Sequence, residues 1–331
     1  MFFMLTLMFG SLVSISSNSW IGMWLGLEIN LLAFIPIIIN NNNSFSSESS
    51  LKYFLTQALA SIILLFTLIL LSSNSLINKN MDSVIFILLN STLLTKMGMA
   101  PFHFWFPEVI EGLNWLNCLI LLTWQKITPM ILVMYNVCLQ YFFFIIILIS
   151  MLISGIMGIN QTSFRKILAY SSINHMAWMI SAMFVSNTIW WFYFIVYSIL
   201  TVNIIFMFYT LKIFYYNQLN TSLNKNFLLK ILFSFNFLSL GGLPPFLGFL
   251  PKWLTIQNLI NSNFFLLTLF MVIMTLTTLF FYMQIIFNLI ILNNNEMNYL
   301  KLSSLNNIII IFFNSISIMG LILFSLVYNF S

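Results

Sequence analysis

The chain of 331 residues is 61% hydrophobic and only 5% charged, with a mean hydropathy of +1.03. Soluble domains carry about 25% charged residues, so the composition excludes a soluble globular protein and predicts an all-α polytopic membrane protein. The net charge of +5 comes from eleven cations spread singly along the chain, which excludes a nucleic-acid partner. Two cysteines and two histidines cannot hold an iron–sulfur cluster, which needs about four ligands, and no metal or cofactor is expected in this chain.

The beginning of the chain and its amino-acid usage bear on where the protein is made. Met1 to Leu7 is apolar, without a basic region, a cleavage site or an Arg-rich presequence. We therefore expect insertion at the site of synthesis or through the first helix as a signal anchor. Heavy use of Phe, Ile, Asn and Met with a single arginine, Arg165, is typical of an A+T-rich genome and favours an organelle-encoded product.

About eleven apolar segments are predicted to be transmembrane helices, because each approaches the roughly 20 residues that cross a bilayer. Tryptophans lie at several segment ends, where amphipathic rings prefer the headgroup level. The predicted spans are about 2–17, 20–39, 52–71, 83–100, 113–138, 141–159, 164–185, 188–212, 227–260, 263–291 and 306–328.

The distribution of Lys and Arg predicts the orientation. Connections after odd-numbered spans, together with both termini, carry only Lys79, whereas connections after even-numbered spans carry seven cations. The positive-inside rule then places the N-terminus inside and, after eleven spans, the C-terminus outside. The seven cations are Lys52, Arg165, Lys166, Lys212, Lys225, Lys230 and Lys301.

Two of the predicted spans are interrupted by Gly and Pro, and each carries a lysine. The fourth is broken near Gly98 and carries Lys96, and the ninth is broken at residues 241–245 and carries Lys252. Paired interrupted helices indicate an internal repeat with a site near the middle of the membrane. We predict one membrane domain, 1–331, with repeats over 1–140 and 141–291 and an extra C-terminal helix over 306–328. Each repeat has five spans, an odd number, so the second repeat enters the membrane from the opposite face and would be inverted.

Ionisable side chains at membrane depth are the candidate functional residues. A lysine at a helix centre costs roughly 2.5–3.5 kcal/mol on insertion scales, and a broken helix is tolerated only where its backbone faces protein or a wet cavity. Glu28, Lys96, Lys126 and Lys252 meet these conditions, and we predict a proton relay through them. The alternatives are a protonated Glu28 hydrogen-bonded between helices and lysines that snorkel to the interface.

The remaining polar residues carry weaker predictions. His175 and His103 lie in apolar surroundings, where packing in the bundle is the alternative to a place on the relay. Glu108 and Glu111 follow the fourth span and are expected to be solvated. Arg165 and its neighbour Lys166 are expected to anchor the topology.

Five runs carry a family resemblance: WLGLEIN (24–30), KMGMAPFHFWFPEV (96–109), TWQKITP (123–129), ILAYSSINHM (167–176) and GGLPPFLGFLPKW (241–253). Together they resemble the antiporter-like membrane-arm subunits of respiratory complex I, and among these the subunit 2 family. The antiporter-like subunits are in turn similar to subunits of cation/proton antiporters. The resemblance covers essentially the whole chain. It implies two inverted five-helix repeats, and the absence of three N-terminal helices in animal members agrees with eleven spans.

The resemblance also implies residue roles. Glu28 matches the family's glutamate of the first half-channel, and Lys96 the broken-helix lysine that pairs with it. Lys126 matches the connecting lysine of the central hydrophilic axis and Lys252 the lysine of the second half. His175 falls in the family's Asn-His-Met run, where a role on the axis is less certain.

The function implied is that of a core complex I subunit in the inner mitochondrial membrane, taking part in proton translocation coupled to electron transfer from NADH to ubiquinone. FMN, iron–sulfur clusters and ubiquinone are expected in other subunits, so this chain carries no redox chemistry although it belongs to an enzyme. The partners expected are other membrane-arm subunits and phospholipids, with cardiolipin as a candidate, and no homo-oligomer is expected. Two alternatives stay open: a subunit of a stand-alone sodium/proton antiporter, and a non-pumping scaffold of the same complex.

Overall fold

The computed structural model describes residues 2–39, 43–73, 79–136, 139–223 and 227–291, and residues 314, 315 and 320. Within these ranges the chain is helical, with one isolated β-bridge between Ser163 and Tyr215. The helices are α1 Phe2–Ser16, α2 Trp20–Ile38, α3 Ser44–Ser73, α4 Lys79–Met97, α5 Trp105–Gly112, α6 Trp115–Leu122, α7 Trp124–Met134, α8 Gln140–Ile159, α9 Phe164–Met183, α10 Asn187–Leu211, α11 Tyr216–Leu223, α12 Phe227–Gly241, α13 Phe249–Asn261 and α14 Phe265–Ile291.

The all-α membrane class is confirmed, and the count of eleven spans stays a prediction. Six described segments are long and apolar enough to cross a membrane, namely α2, α3, α6 with α7, α8, α10 and α14. Three shorter apolar helices, Phe2–Ser16, Ser83–Met97 and Leu229–Gly241, fall within other predicted spans. The predicted span at 306–328 lies outside the described residues apart from 314, 315 and 320.

The fifth predicted span is not one continuous helix. It divides at Thr123 into α6 and α7, and the Thr123 side chain donates to the Leu119 carbonyl at 2.7 Å. No glycine stands at this break, and Pro129, which disturbs the turn before it, lies inside α7; the break at Thr123 was not predicted. The short helix α11 was also not predicted.

The chain divides into two compact units, Met1–Ser150 and Met151–Ser331. In the first unit α1 and α2 pack in close contact because small residues face each other. A Cβ atom added to Gly26 would lie 2.5 Å from the Ser14 nitrogen, and one added to Gly10 would lie 2.9 Å from the Asn30 nitrogen. Any larger side chain at these two positions would separate the helices.

The second unit is built around α9. Every residue of this helix from Ile167 to Met183 is buried, and α10, α13 and α14 pack against it. A helix enclosed on all sides is expected to be apolar all round, yet α9 carries serines, Asn174 and His175. These buried polar groups need partners inside the unit.

Candidate functional site

The first predicted break begins at the end of α4. Gly98 has φ +74°, its N–H donates to the Thr95 carbonyl at 3.1 Å, and the Met99 N–H donates to the Leu94 carbonyl at 3.1 Å. This pair of bonds is a Schellman motif, which ends a helix with a left-handed residue. The Phe106 ring covers the glycine so closely that an added Cβ would lie 2.8 Å from the Phe106 side chain.

Lys96 is buried in the last turn of α4. Side chains of neighbouring helices bind the carbonyls exposed there: the Gln57 amide donates to the Lys96 carbonyl at 3.3 Å, and the Trp105 indole donates to the Thr95 carbonyl at 3.0 Å. Protein groups therefore bind the carbonyls at this break, which is the condition for an interrupted helix inside a membrane.

Glu28 lies on α2, half-buried, close enough to Lys96 to interact electrostatically. No ion pair within 4 Å is seen between these two described residues, in contrast to Lys52, which pairs with Glu48 at 3.0 Å and with Glu108 at 2.9 Å. The Glu28 Oε2 atom is buried and accepts no hydrogen bond in the described part of the chain. The predicted pair is thus separated by a gap, beside a carboxylate oxygen that lacks a donor.

Lys126 is almost fully enclosed, with 1% of the side chain exposed. It occupies the first turn of α7, and its Nζ lies 5.1 Å from the centroid of the Phe106 ring, within cation–π range. Next to it, Gln125 and Asn30 exchange two amide hydrogen bonds of 3.0 Å each. This amide pair fixes α7, with Lys126, against α2, with Glu28.

Helix dipoles act with opposite sign at these two lysines. Lys96 lies in the last turn of α4, the negative end of its dipole, whereas Lys126 lies in the first turn of α7, the positive end. The dipole of α4 therefore favours a cation at Lys96, and that of α7 opposes one at Lys126. The two helix dipoles therefore favour a proton on Lys96 over a proton on Lys126.

A small polar cavity separates Lys96 from α7. Its volume is about 20 Å³, and a space of roughly 10–15 Å³ measured in this way holds one water molecule. The Thr128 hydroxyl is buried and has no hydrogen-bond partner in the described residues. The lining residues are Leu27, Asn30, Leu31, Tyr53, Gln57, Lys96, Gln125, Thr128 and Pro129.

The second unit contains a break of the same form. Gly242 has φ +79°, its N–H donates to the Ser239 carbonyl at 3.1 Å, and the Leu243 N–H donates to the Leu238 carbonyl at 3.4 Å. Buried Lys252, from the first turn of α13, donates to the Gly241 carbonyl at 2.8 Å. Its ammonium therefore caps the negative end of α12, a structural role that the sequence did not reveal.

When the sequences of the two units are aligned so that Gly98 corresponds to Gly242, other features also coincide. This alignment matches the ends of α4 and α12, the starts of α5 and α13, and the starts of α2 and α9. It also pairs Pro101 with Pro245, Asn30 with Asn174 and Tyr53 with Tyr197. Lys96 and Lys252 are not equivalent in it, since Lys252 falls on Glu108.

His175 lies in a cluster of hydroxyl groups in the second unit. Its Nδ1 is 3.0 Å from the Tyr193 hydroxyl, and its ring centroid is 5.2 Å from that of Tyr197. The Tyr197 hydroxyl bonds to Ser172, and the Tyr282 hydroxyl bonds to Ser171. Three polar side chains of α9, those of Ser171, Ser172 and His175, are therefore paired with tyrosines of α10 and α14.

The remaining predicted residues have contacts of their own. Glu108 is exposed and bonded to Lys52 at 2.9 Å, as expected for a solvated residue. His103 is buried, with Nδ1 3.3 Å from the Pro101 carbonyl. Arg165 stacks over Phe214, with 4.9 Å between the guanidinium carbon and the ring centroid.

Sequence reasoning missed the neutral polar residues that surround the charged ones. Gln57, Gln125 and Thr128 border the cavity beside Lys96, and Tyr193 contacts His175. The available signal was a neutral polar residue within an apolar helix, but such residues are too common in this chain to be distinguished without packing.

Comparisons with known proteins agree with this architecture. The family described as NADH:quinone oxidoreductase/Mrp antiporter, TM, matches residues 17–278. NADH-ubiquinone oxidoreductase chain 2 of Anopheles gambiae is 51% identical over 333 residues, which cover 98% of this chain and 97% of that protein. The Bos taurus protein of the same name is 38% identical over 279 residues, 82% of this chain and 80% of its own length.

Two solved structures share the fold. A chain of respiratory complex I from Thermus thermophilus aligns with TM-score 0.85 and 21% identity, over 96% of this chain and 77% of its own length. A chain of the Mrp complex from Dietzia aligns with TM-score 0.76 and 16% identity, over 88% of this chain and 60% of its own length.

Proposed function

Because the chain belongs to the NADH:quinone oxidoreductase/Mrp antiporter membrane family, we propose that it is a core membrane-arm subunit of respiratory complex I that takes part in proton translocation. The observation that carries the proposal is the pair of buried lysines in the first unit. Lys96 and Lys126 each lie within one turn of a helix break, and cations are costly to keep inside a membrane, so their burial supports a functional role.

The relay we propose starts at the carboxylate. The Glu28 Oε2 atom lacks a donor, so a proton or a water can bind there without displacing another partner. A charge change at Glu28 alters the energy of a proton on Lys96, across the gap between them. The cavity between Lys96 and α7 has room for one water, which would carry the proton towards the helix of Lys126.

Lys252 and His175 are proposed as the groups of the second unit. Lys252 serves both as a cap of α12 and as a proton carrier, so its two roles need separate tests. The corresponding breaks at Gly98 and Gly242 support the proposed repeat, with its halves at 1–140 and 141–291.

The energy must come from outside the chain. Moving one proton against the membrane potential requires about 2.3 kcal/mol per 100 mV. We propose that FMN, iron–sulfur clusters and ubiquinone reside in other subunits and that their redox reaction drives the relay. The setting proposed is the inner mitochondrial membrane, with the N-terminus in the matrix, the C-terminus in the intermembrane space, and complex I subunits and phospholipids as neighbours.

The test is made in the assembled complex in sealed vesicles, measuring NADH oxidation and the proton-to-electron ratio together. Lys96→Met and Glu28→Gln are expected to lower the ratio while the complex still assembles, because each removes a proton-binding group. Lys52→Met is the matched control, since exposed ion pairs such as those of Lys52 contribute only about 0–1 kcal/mol. Normal ratios in both variants would leave the scaffold alternative standing.

The antiporter alternative has its own readout. Co-purification of the chain with NADH-oxidising activity supports the complex I assignment. Sodium-driven proton exchange by the chain in a complex without that activity would favour the antiporter.

A further inference from the structure

The second unit holds a polar cluster at the position that corresponds to the cavity beside Lys96. In the register set by Gly98 and Gly242, His175 takes the place of Leu31, Tyr197 that of Tyr53, and Ser171 that of Leu27. All three residues of the first unit line the cavity. The same location therefore holds a lysine beside a cavity in one unit and an imidazole among hydroxyls in the other.

From this we infer that Tyr193 is a positioning residue, which holds the His175 ring in one orientation for proton exchange in the second unit. The inference rests on the proposed function, in which His175 exchanges protons. Nothing in the sequence pattern singles out Tyr193, because its equivalent in the first unit is Ser49.

The geometry supports this role. The Tyr193 hydroxyl is 3.0 Å from His175 Nδ1, and both side chains are buried. In a buried imidazole, a hydrogen bond at one nitrogen decides which nitrogen is left to exchange the proton. A bond to Nδ1 assigns that exchange to Nε2.

Neighbouring rings restrict any other arrangement. Tyr197 also packs against the His175 ring, at 5.2 Å between centroids, and its hydroxyl is already bonded to Ser172. The hydroxyl within hydrogen-bond distance of His175 Nδ1 is therefore that of Tyr193. Loss of this hydroxyl should leave the ring in place but free its Nδ1.

The experiment compares Tyr193→Phe with Tyr209→Phe in the assembled complex. Tyr209 lies on the same helix, α10, but is 49% exposed, so it controls for loss of a tyrosine hydroxyl. We expect Tyr193→Phe to lower the proton-pumping rate about two- to tenfold, the range for one lost hydrogen bond, while Tyr209→Phe changes nothing. NADH oxidation with an artificial acceptor should be unchanged in both.

A spectroscopic measurement separates positioning from mere packing. Subtracting the infrared spectrum of the His175→Gln complex isolates the imidazole bands of His175, whose frequencies depend on which nitrogen carries the proton. Tyr193→Phe should shift these bands and Tyr209→Phe should not. In the His175→Gln background, Tyr193→Phe should have no further effect on pumping, since residues acting through one group are not additive.

Three results would overturn the inference. The first is equal pumping and equal bands in the two tyrosine variants, and the second is an undiminished effect of Tyr193→Phe in the His175→Gln background. The third applies if Tyr193→Phe fails to accumulate: normal pumping in His175→Gln alone would then show that no imidazole is needed. Failure of the proposed function is distinguishable, since Lys126→Met would then also leave pumping intact.

Discussion

The ammonium of Lys126 lies 5.1 Å from the centre of the Phe106 ring, and the same ring covers Gly98 at the helix break. One aromatic side chain therefore connects the interrupted α4–α5 segment with the buried cation of α7. Any shift of the break would be transmitted to Lys126 through direct contact.

Phe106→Leu tests this connection. Leucine keeps the site apolar but removes the ring face, so we expect a loss of about 0.5–2 kcal/mol of cation–π energy and a lowered proton-to-electron ratio. The measurement is pumping in sealed vesicles, alongside the melting temperature of the complex. Phe104→Leu is the control because Phe104 is 71% exposed; equal behaviour of the two variants would contradict the connection.

The two glycines that end α4 and α12 should resist substitution. Alanine at a left-handed φ costs roughly 1–2 kcal/mol, and the added Cβ would lie 2.8 Å from Phe106 at Gly98 and 2.8 Å from Lys252 at Gly242. We expect Gly98→Ala and Gly242→Ala to lower the melting temperature and the amount of complex on native gels.

Gly241→Ala provides the matched control for that experiment. Gly241 belongs to α12, and its added Cβ would meet nothing closer than 3.7 Å. Since alanine is favoured over glycine within helices by about 0.5–1 kcal/mol, this variant should be neutral or stabilising. Equal losses at Gly241 and Gly242 would show that the left-handed turn is not the cause.

The sequence predicted the structure correctly where neighbouring residues carried a signal. Gly98 with Pro101, and Gly242 with Pro245, mark both interruptions because glycine adopts the left-handed turn and proline cannot continue a helix. The lengths of the flanking apolar runs predicted that Lys96 and Lys126 lie away from water, and both side chains are buried in the protein.

The sequence was insufficient where contacts join distant positions. Asn30 and Gln125 are 95 residues apart in the chain, and neither differs locally from the many other amides of this protein. The cap that Lys252 forms on Gly241 depends on how the chain reverses between α12 and α13. The gap between Glu28 and Lys96 depends on helix packing, which residue types do not specify.

The Asn30–Gln125 amide pair should behave as a unit. Asn30→Leu alone leaves the half-buried Gln125 amide without its partner, and an unsatisfied buried polar group costs about 1–3 kcal/mol. The double variant with Gln125→Leu removes both groups, so its loss of stability should be smaller than the sum of the two single losses. The melting temperatures of the four complexes give the coupling, and strictly additive losses would contradict the pair.

Thr128→Val tests whether the cavity beside Lys96 holds water. With a water bound to the Thr128 hydroxyl, valine removes one of its partners, and we expect pumping to fall at least about twofold. In a dry cavity the same change removes an unsatisfied buried hydroxyl and should instead raise stability by about 1–3 kcal/mol with pumping intact. The control is Thr67→Val, since buried Thr67 already donates to the Leu64 carbonyl at 2.7 Å. Because the hydrated cavity predicts a fall in pumping and the dry cavity a gain in stability with pumping intact, pumping and melting temperature measured together decide between a hydrated relay and dry packing around Lys96.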